Sequence, residues 1–275
     1  MDIINRFTQG EPAVSVQVTK AYAQGPACPI DYLVVTEHAL DVYLNEVLTM
    51  RIVCTPSNLV ELVVGRLFSE GIIDSVDDIE SVYVCEYGTR ARIMLRNKEA
   101  DFSRCHTEVV PTCCTGNRTF NGYFTGGVTL REVTPIPWEE SWLFAAAQLF
   151  ARDTPLHKST FGTHSCYLIY EGEVLFACED LGRHNAFDKV IGRALLAGVD
   201  LKRSILFSSG RIPEDMMIKA IRAQVPVLVT KAVPTDAALN LAERYNVTFV
   251  SSAHPDSMVI CHDPWDAQTP KFRAC

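Results

Sequence analysis

The sequence predicts an α/β protein: a β-rich α+β N-terminal part, then a parallel sheet covered by helices. Three observations predict it. From residue 166 to residue 250, strand-like and helix-like runs alternate across short loops, the pattern of βαβ units. Residues 14–95 are instead mostly extended, with one helical segment among them. Between the two lies a polar stretch, 97–137, with four glycines (116, 122, 126 and 127) and no clear periodicity. A chain of 275 residues makes one large domain or two modest ones. The break suggests an N-terminal α+β domain over 1–97, a mobile cysteine-bearing loop or linker over 98–137, and a C-terminal domain over 138–275.

The elements follow from spacing. Val14, Val16 and Val18 alternate, Tyr32–Val35 is a compact apolar run, and Val42, Leu44 and 47–52 continue in extended style. Apolar residues 59, 62, 63 and 67 lie on one helical face, with Ser57 or Asn58 as the N-cap and Gly71 as the stop. Ser81–Tyr87 and Arg90–Leu95 read as strands around a Gly88–Thr89 turn. Trp138, Trp142, Ala145, Ala146 and Leu149 mark a helix, and Glu171–Gly172–Glu173 a hairpin turn. Asn185–Ala197 is an amphipathic helix closed by Gly198. Strands at 205–207, 225–229 and 247–250 then alternate with helices at 213–224 and 235–245.

Composition narrows the function. Twenty-five basic against 33 acidic residues give a net charge of −8, which argues against a general nucleic-acid binder. No secretory signal and no apolar run approaching about 20 residues is visible, so a cytoplasmic protein with no membrane span is expected. Most of the ten cysteines then read as small buried hydrophobes.

Three clusters carry chemistry. In Pro111–Thr112–Cys113–Cys114–Thr115–Gly116–Asn117, adjacent thiols sit in a polar loop near His106 and Arg118, which favour the nucleophilic thiolate. His106–Thr107–Glu108 before Pro111 is an echo of zinc deaminases, but the cysteines are adjacent rather than two apart, and a metal site is not expected. The run 179–189 (Glu-Asp-Leu-Gly-Arg-His-Asn-Ala-Phe-Asp-Lys) places polar groups at a helix start, suited to an anion. Its plain alternative is that Asp180 caps the helix and the rest is solvated. Ser208–Ser209–Gly210–Arg211, Lys231 and Ser251–Ser252 follow three successive strands, where ligands of open α/β sheets bind.

The 179–189 run, Thr163–His164 before it, Ser208–Arg211 after it and Leu67–Ile73 near the N-terminus resemble the FdhD/NarQ family of formate dehydrogenase accessory sulfurtransferases. The resemblance spans about residues 30–262. It implies a C-terminal three-layer α/β/α domain, cytidine-deaminase-like without the deaminase zinc site, that binds cofactor. It implies a carrier that moves persulfide sulfur from a cysteine desulfurase to the molybdenum or tungsten bis-pterin guanine dinucleotide, before insertion into formate dehydrogenase. The alternative is a non-catalytic cofactor-binding chaperone for the same enzyme. A homodimer is compatible with either. Cys114 aligns with the family's persulfide cysteine; Cys113 is an extra thiol beside it, Thr115 replaces a glycine, and Asn117 stands where a second cysteine is common. The cofactor-binding residues implied are His164, Arg183, His184, Ser208, Ser209, Arg211, Lys231 and, in the late loop, Ser252, His254 and Ser257. That loop lacks the glycine and arginine of the family pattern.

Overall fold

The structure, a computed structural model, describes residues 1–8, 10–97, 108–110, 130–152 and 154–265. Its strands are β1 (Asp2–Asn5), β2 (Ala13–Lys20), β3 (Cys28–Val35), β4 (His38–Leu44), β5 (Val47–Cys54), β6 (Ile79–Val84), β7 (Arg90–Leu95), β8 (Glu108–Val110), β9 (His164–Tyr170), β10 (Glu173–Asp180), β11 (Ser204–Ser208), β12 (Val227–Thr230), β13 (Thr248–Ser251) and β14 (Val259–His262). The helices are α1 (Leu59–Ser69), α2 (Glu140–Arg152), α3 (Pro155–Thr160), α4 (Arg183–Leu196), α5 (Glu214–Arg222) and α6 (Asp236–Arg244).

The N-terminal sheet runs β1-β6-β7-β4-β5-β8. Alternate residues, such as Leu40, Val42 and Leu44 or Ala91, Ile93 and Leu95, are buried against the Leu62–Leu67 face of α1. Helix α1 ends in a Schellman motif: Gly71, with φ 80°, donates to the carbonyl of Phe68, and Ile72 donates to that of Leu67. Gly198, with φ 69°, ends α4 in the same way.

The C-terminal sheet runs β10-β9-β11-β12-β13-β14. Tyr167, Ile169, Ile205, Phe207, Val227 and Val229 face α2 through Leu143, Ala146 and Phe150. The alternate residues Cys166, Leu168, Leu206, Leu228 and Phe249 face α4, α5 and α6. The result is three layers, helix–sheet–helix, as expected from the sequence.

Several details differ from the sequence reading. The sheet is mixed: β11, β12 and β13 are parallel, whereas β9, β10 and β14 run antiparallel to their neighbours. Period-2 patterns mark a strand but not its neighbour or its direction, so only the βαβ core was readable. Strands β1 and β14 and helix α3 are too short for periodicity to show. The 97–137 stretch contains a strand, β8, which pairs in parallel with β5, and Val133, which is buried in the C-terminal core. Asn58 occupies the N-cap of α1 with φ 51° but makes no side-chain cap bond. Ser57 does not cap either: its hydroxyl lies 3.3 Å from Thr55 and accepts from Lys189.

The two sheets are joined by the crossing of α1 over α4. A Cβ on Gly65 would lie 1.8 Å from the Asp188 carbonyl oxygen, and one on Gly192 would lie 1.9 Å from that of Glu61. The helices therefore touch backbone to backbone, which only glycine permits. Gly65→Ala is expected to cost about 3 kcal/mol or more, read by urea unfolding, because no flexible side chain can yield. Gly198→Ala meets nothing within 4 Å and carries only the left-handed backbone penalty, about 1 kcal/mol.

Candidate functional site

The 179–189 run is built into this crossing. Asp180 and Lys189 form a fully buried pair at 2.6 Å. Asp180 also accepts from the Thr55 amide and hydroxyl, the Gly182 amide and Asn185 Nδ2. Asn185 donates as well to the Val53 carbonyl, and Lys189 to the Thr55 hydroxyl at 2.8 Å. Asp188 lies 2.6 Å from Lys219 and accepts from the Ser69 hydroxyl at 2.7 Å. Arg66 and Glu70 complete this group of two cations and two anions. The Glu179 carboxylate accepts from the Leu156 and His157 amides at the start of α3. The reading in which Asp180 caps α4 and the remaining groups are solvated is therefore corrected. The α4 N-cap is Gly182, without a side-chain bond, and Asp180, Asp188 and Lys189 are buried because each has a partner across the two halves. A buried pair is costly to break from one side.

Two residues of the run point elsewhere. Arg183 opens α4 at the carboxyl ends of the parallel strands. It is only 8 % exposed, and its Nε has no hydrogen-bond partner among the described residues. Such a group is expensive in a folded protein unless an acceptor arrives. Gly210, in the loop after β11, lies directly against it: a Cβ there would sit 2.9 Å from the Arg183 Cβ and Cδ and 3.3 Å from the His164 Nδ1. His184 Nε2 is 2.9 Å from Asp215 Oδ2, in the first turn of α5.

His164 starts β9, antiparallel to β11, so it stands beside the ends of the parallel strands. The Ser209 hydroxyl accepts from the Ser165 amide and lies 3.2 Å from His164 Nδ1, to which it donates when that nitrogen is unprotonated. Burial, and then the charge of Arg183, pushes the His164 pKa below the ordinary histidine value. Burial lowers that of His184 too, outweighing Asp215. Both rings are neutral at pH 7. Ser208 is buried and its hydroxyl accepts from the Gly210 amide, while Thr230 donates to the Gly210 carbonyl at 2.7 Å.

The structure thus brings His164, Arg183, Ser208 and Ser209 together around Gly210, with His184 braced by Asp215. Arg211 and Lys231 are exposed at the ends of β11 and β12. Ser252, with φ 48°, follows β13 and donates its amide to the Ala232 carbonyl. His254 and Ser257 are exposed on the same late loop, joined by a backbone bond of 2.8 Å. The loop reaches the Arg183 cluster through Thr230, which accepts from the Ala253 amide and donates to the Gly210 carbonyl. Sequence reasoning missed Asp215; it marked Gly210 within the 208–211 loop but not its contact with Arg183. An acid in a helix's first turn is commonplace, and only the fold sets it against His184. Cys113 and Cys114, with Cys105 and His106, lie outside the described residues. Burial raises the thiol pKa of Cys54, Cys166 and Cys178, the last to about 11, so these are inert. Among the described residues no group of three His, Cys, Asp or Glu side chains could hold a metal ion. No helix among them is long and apolar enough to cross a membrane.

The model of the FdhD/NarQ family matches residues 35–266. The chain belongs to that family. Among curated FdhD relatives, a Listeria monocytogenes protein is 30 % identical over 248 residues, 89 % of this chain and 95 % of its own length. One from Bacillus pumilus is 31 % identical over 248 residues, 89 % and 94 %. Both are named sulfur carrier protein FdhD. A crystal structure from Desulfotalea psychrophila, described as a candidate formate dehydrogenase accessory protein, superposes with a TM-score of 0.72 at 22 % identity. The match covers 92 % of this chain and 98 % of that one, and shows that the two share a fold.

The histidines set the pH response. A folded pKa below the unfolded one means that the unfolded chain binds the proton more readily. The stability that follows is complete above about pH 6.5 and is lost as pH falls from there. Urea unfolding at pH 7.5, 6.5 and 5.5 is expected to show falling stability, with a shallower fall in His164→Gln.

Proposed function

We propose that this chain is a sulfur carrier for formate dehydrogenase, receiving sulfur on Cys114 and delivering it to a pterin guanine dinucleotide held at the strand ends. The observation that carries the binding half is the buried, unpartnered Arg183 Nε at the start of α4. A phosphate oxygen there would accept from Arg183 and from the free first-turn amides of α4. Neutral His164 and the Ser209 hydroxyl stand beside Arg183 around Gly210 and offer further hydrogen bonds. Arg211 and Lys231 stand at the rim as cations for a second phosphate. Ser252, His254 and Ser257 are proposed for the far end of the dinucleotide, and His184 for orienting the helix tip through Asp215. The molybdenum or tungsten cofactor is cargo in this reading, and no metal of the protein's own takes part.

The carrier half rests on the names of the relatives and on the alignment of Cys114. The Cys114 thiolate attacks the outer sulfur of a desulfurase persulfide. The desulfurase thiolate leaves, and Cys114 holds the sulfur as a persulfide. Attack by the Cys113 thiolate on the inner sulfur then releases hydrosulfide toward the bound metal. It leaves a Cys113–Cys114 disulfide that must be reduced before the next cycle, so the two thiols supply the two electrons.

Intact mass after incubation with a cysteine desulfurase and cysteine tests this. The wild type is expected to gain about 32 Da, one sulfur, lost on reduction. Cys114→Ala should gain nothing, and Cys113→Ser should load but fail to release. Loading in Cys114→Ala would contradict the assignment. No gain in any form would favour a cofactor-binding chaperone without sulfur chemistry.

A further inference from the structure

Strand register sets a row of side chains on the outer face of the N-terminal sheet, opposite α1. Ser81 pairs with Met94 and Tyr83 with Arg92, and the Cys85 amide donates to the Arg90 carbonyl. The alternate residues Val82, Val84, Ala91 and Ile93 are buried on the inner face, so these six point outward. All six line one cavity of about 430 Å³, together with Glu46 from the turn between β4 and β5. Its charge is mostly positive. Arg92 lies 3.6 Å from Glu46. Arg6 lies over the Tyr83 ring, 5.8 Å from its centroid. Arg90 has no ion pair among the described residues, because Asp41, its register neighbour on β4, is taken by Arg51. Three arginines thus meet one carboxylate, in a chain whose net charge is −8.

Cys85 follows β6 at a tight turn. Its carbonyl accepts from the Gly88 amide, and its Sγ lies 3.6 Å from the Thr89 hydroxyl. Burial alone would raise the thiol pKa, but the Thr89 hydroxyl and the amides of Arg90, Tyr87 and Thr89 outweigh it and hold it below the ordinary cysteine value. Cys54, Cys166 and Cys178 shift the other way. A stabilised thiolate beside free cations is a nucleophile that selects anionic reactants. We propose that Cys85 is a thiol–disulfide exchange site for a small anionic disulfide, whose carboxylates Arg90 and Arg92 hold while Cys85 attacks a sulfur. The site lies away from the strand ends of the C-terminal sheet, and it does not rest on the sulfur-carrier reading.

The step is self-contained. The Cys85 thiolate bonds to one sulfur of the disulfide, the S–S bond breaks, and the other half leaves as a thiolate. Cys85 is oxidised to a mixed disulfide and the departing half is reduced. An incoming thiolate reverses the exchange. Size and charge set the class of reactant. Cys85 is only 5 % exposed, so a disulfide carried on another protein does not reach it, whereas a small one enters the cavity. Guanidinium forks bind carboxylates in pairs of hydrogen bonds, and Tyr83 and Met94 offer an apolar wall to the rest of the molecule. A short peptide-like thiol bearing carboxylates fits all three conditions.

Incubation of the full chain with glutathione disulfide, which is anionic, or with cystamine, which is cationic, tests the proposal. Adducts are located by peptide mass mapping over time. Cys85 is expected to gain about 305 Da from glutathione disulfide, lost on reduction. Its preference for the anionic reagent over the cationic one should be about tenfold greater in the folded chain than in the urea-unfolded chain, where no cavity exists. Salt at about 1 M should remove that difference. Arg90→Gln with Arg92→Gln should slow glutathione disulfide several-fold without slowing cystamine, and Cys85→Ser should lose this adduct alone. A Cys85 that stays unmodified in the folded chain would overturn the proposal. So would a preference equal in folded and unfolded chains, or one unchanged in the double arginine variant when circular dichroism shows it folded.

Discussion

The contact of α1 with α4 at Gly65 and Gly192 fixes most of what this protein can do. Each glycine lies against a backbone carbonyl of the other helix, closer than any side chain allows. At that separation, Asp188 on α4 reaches Ser69 on α1, while Asp180 and Lys189 reach Thr55. None of these groups has water to fall back on, so the register of the two helices is set by charge as well as by shape. Burying ionic pairs this way adds little net stability. It penalises any other docking of the two halves.

The crossing also has a functional consequence. Helix α4 is clamped along its length, so its first turn is held still at the ends of β11, β12 and β13. Gly210 leaves no space for a side chain beside the Arg183 Cβ and Cδ, so the loop packs directly on the arginine stem. Its buried Nε is an unmet demand for an acceptor, maintained by the clamp behind it. The 179–189 run therefore does two jobs. Residues 179, 180, 185, 188 and 189 bind the halves together, and 183 and 184 form the helix tip at the strand ends, where we propose that the ligand binds.

The sequence made the layer order legible because strand and helix periods alternate cleanly after residue 166, and because Gly71 and Gly198 stand where Schellman glycines belong. It also marked 179–189 and 208–211 as special. It could not show why. Asp180 looks like a helix cap from its position, but its partner Thr55 is 125 residues away. Asp188 and Lys219 are 31 residues apart on separate helices and pair only because α4 and α5 cover the same face of the sheet. The β2–β3 alternation read as ordinary sheet, since nothing local shows that the ribbon joins no larger sheet. Direction in the C-terminal sheet was hidden for the same reason: strand pairing is long-range information.

The central claim is that Arg183 awaits a phosphate while its neighbours in sequence serve the fold. Calorimetric titration of guanosine diphosphate into wild type and Arg183→Gln, with urea unfolding of both, tests it directly. The account predicts a loss of affinity of roughly 10- to 100-fold with the unfolding midpoint unchanged. Equal affinity in the two proteins, or a loss that appears only with a collapse in stability, would contradict it.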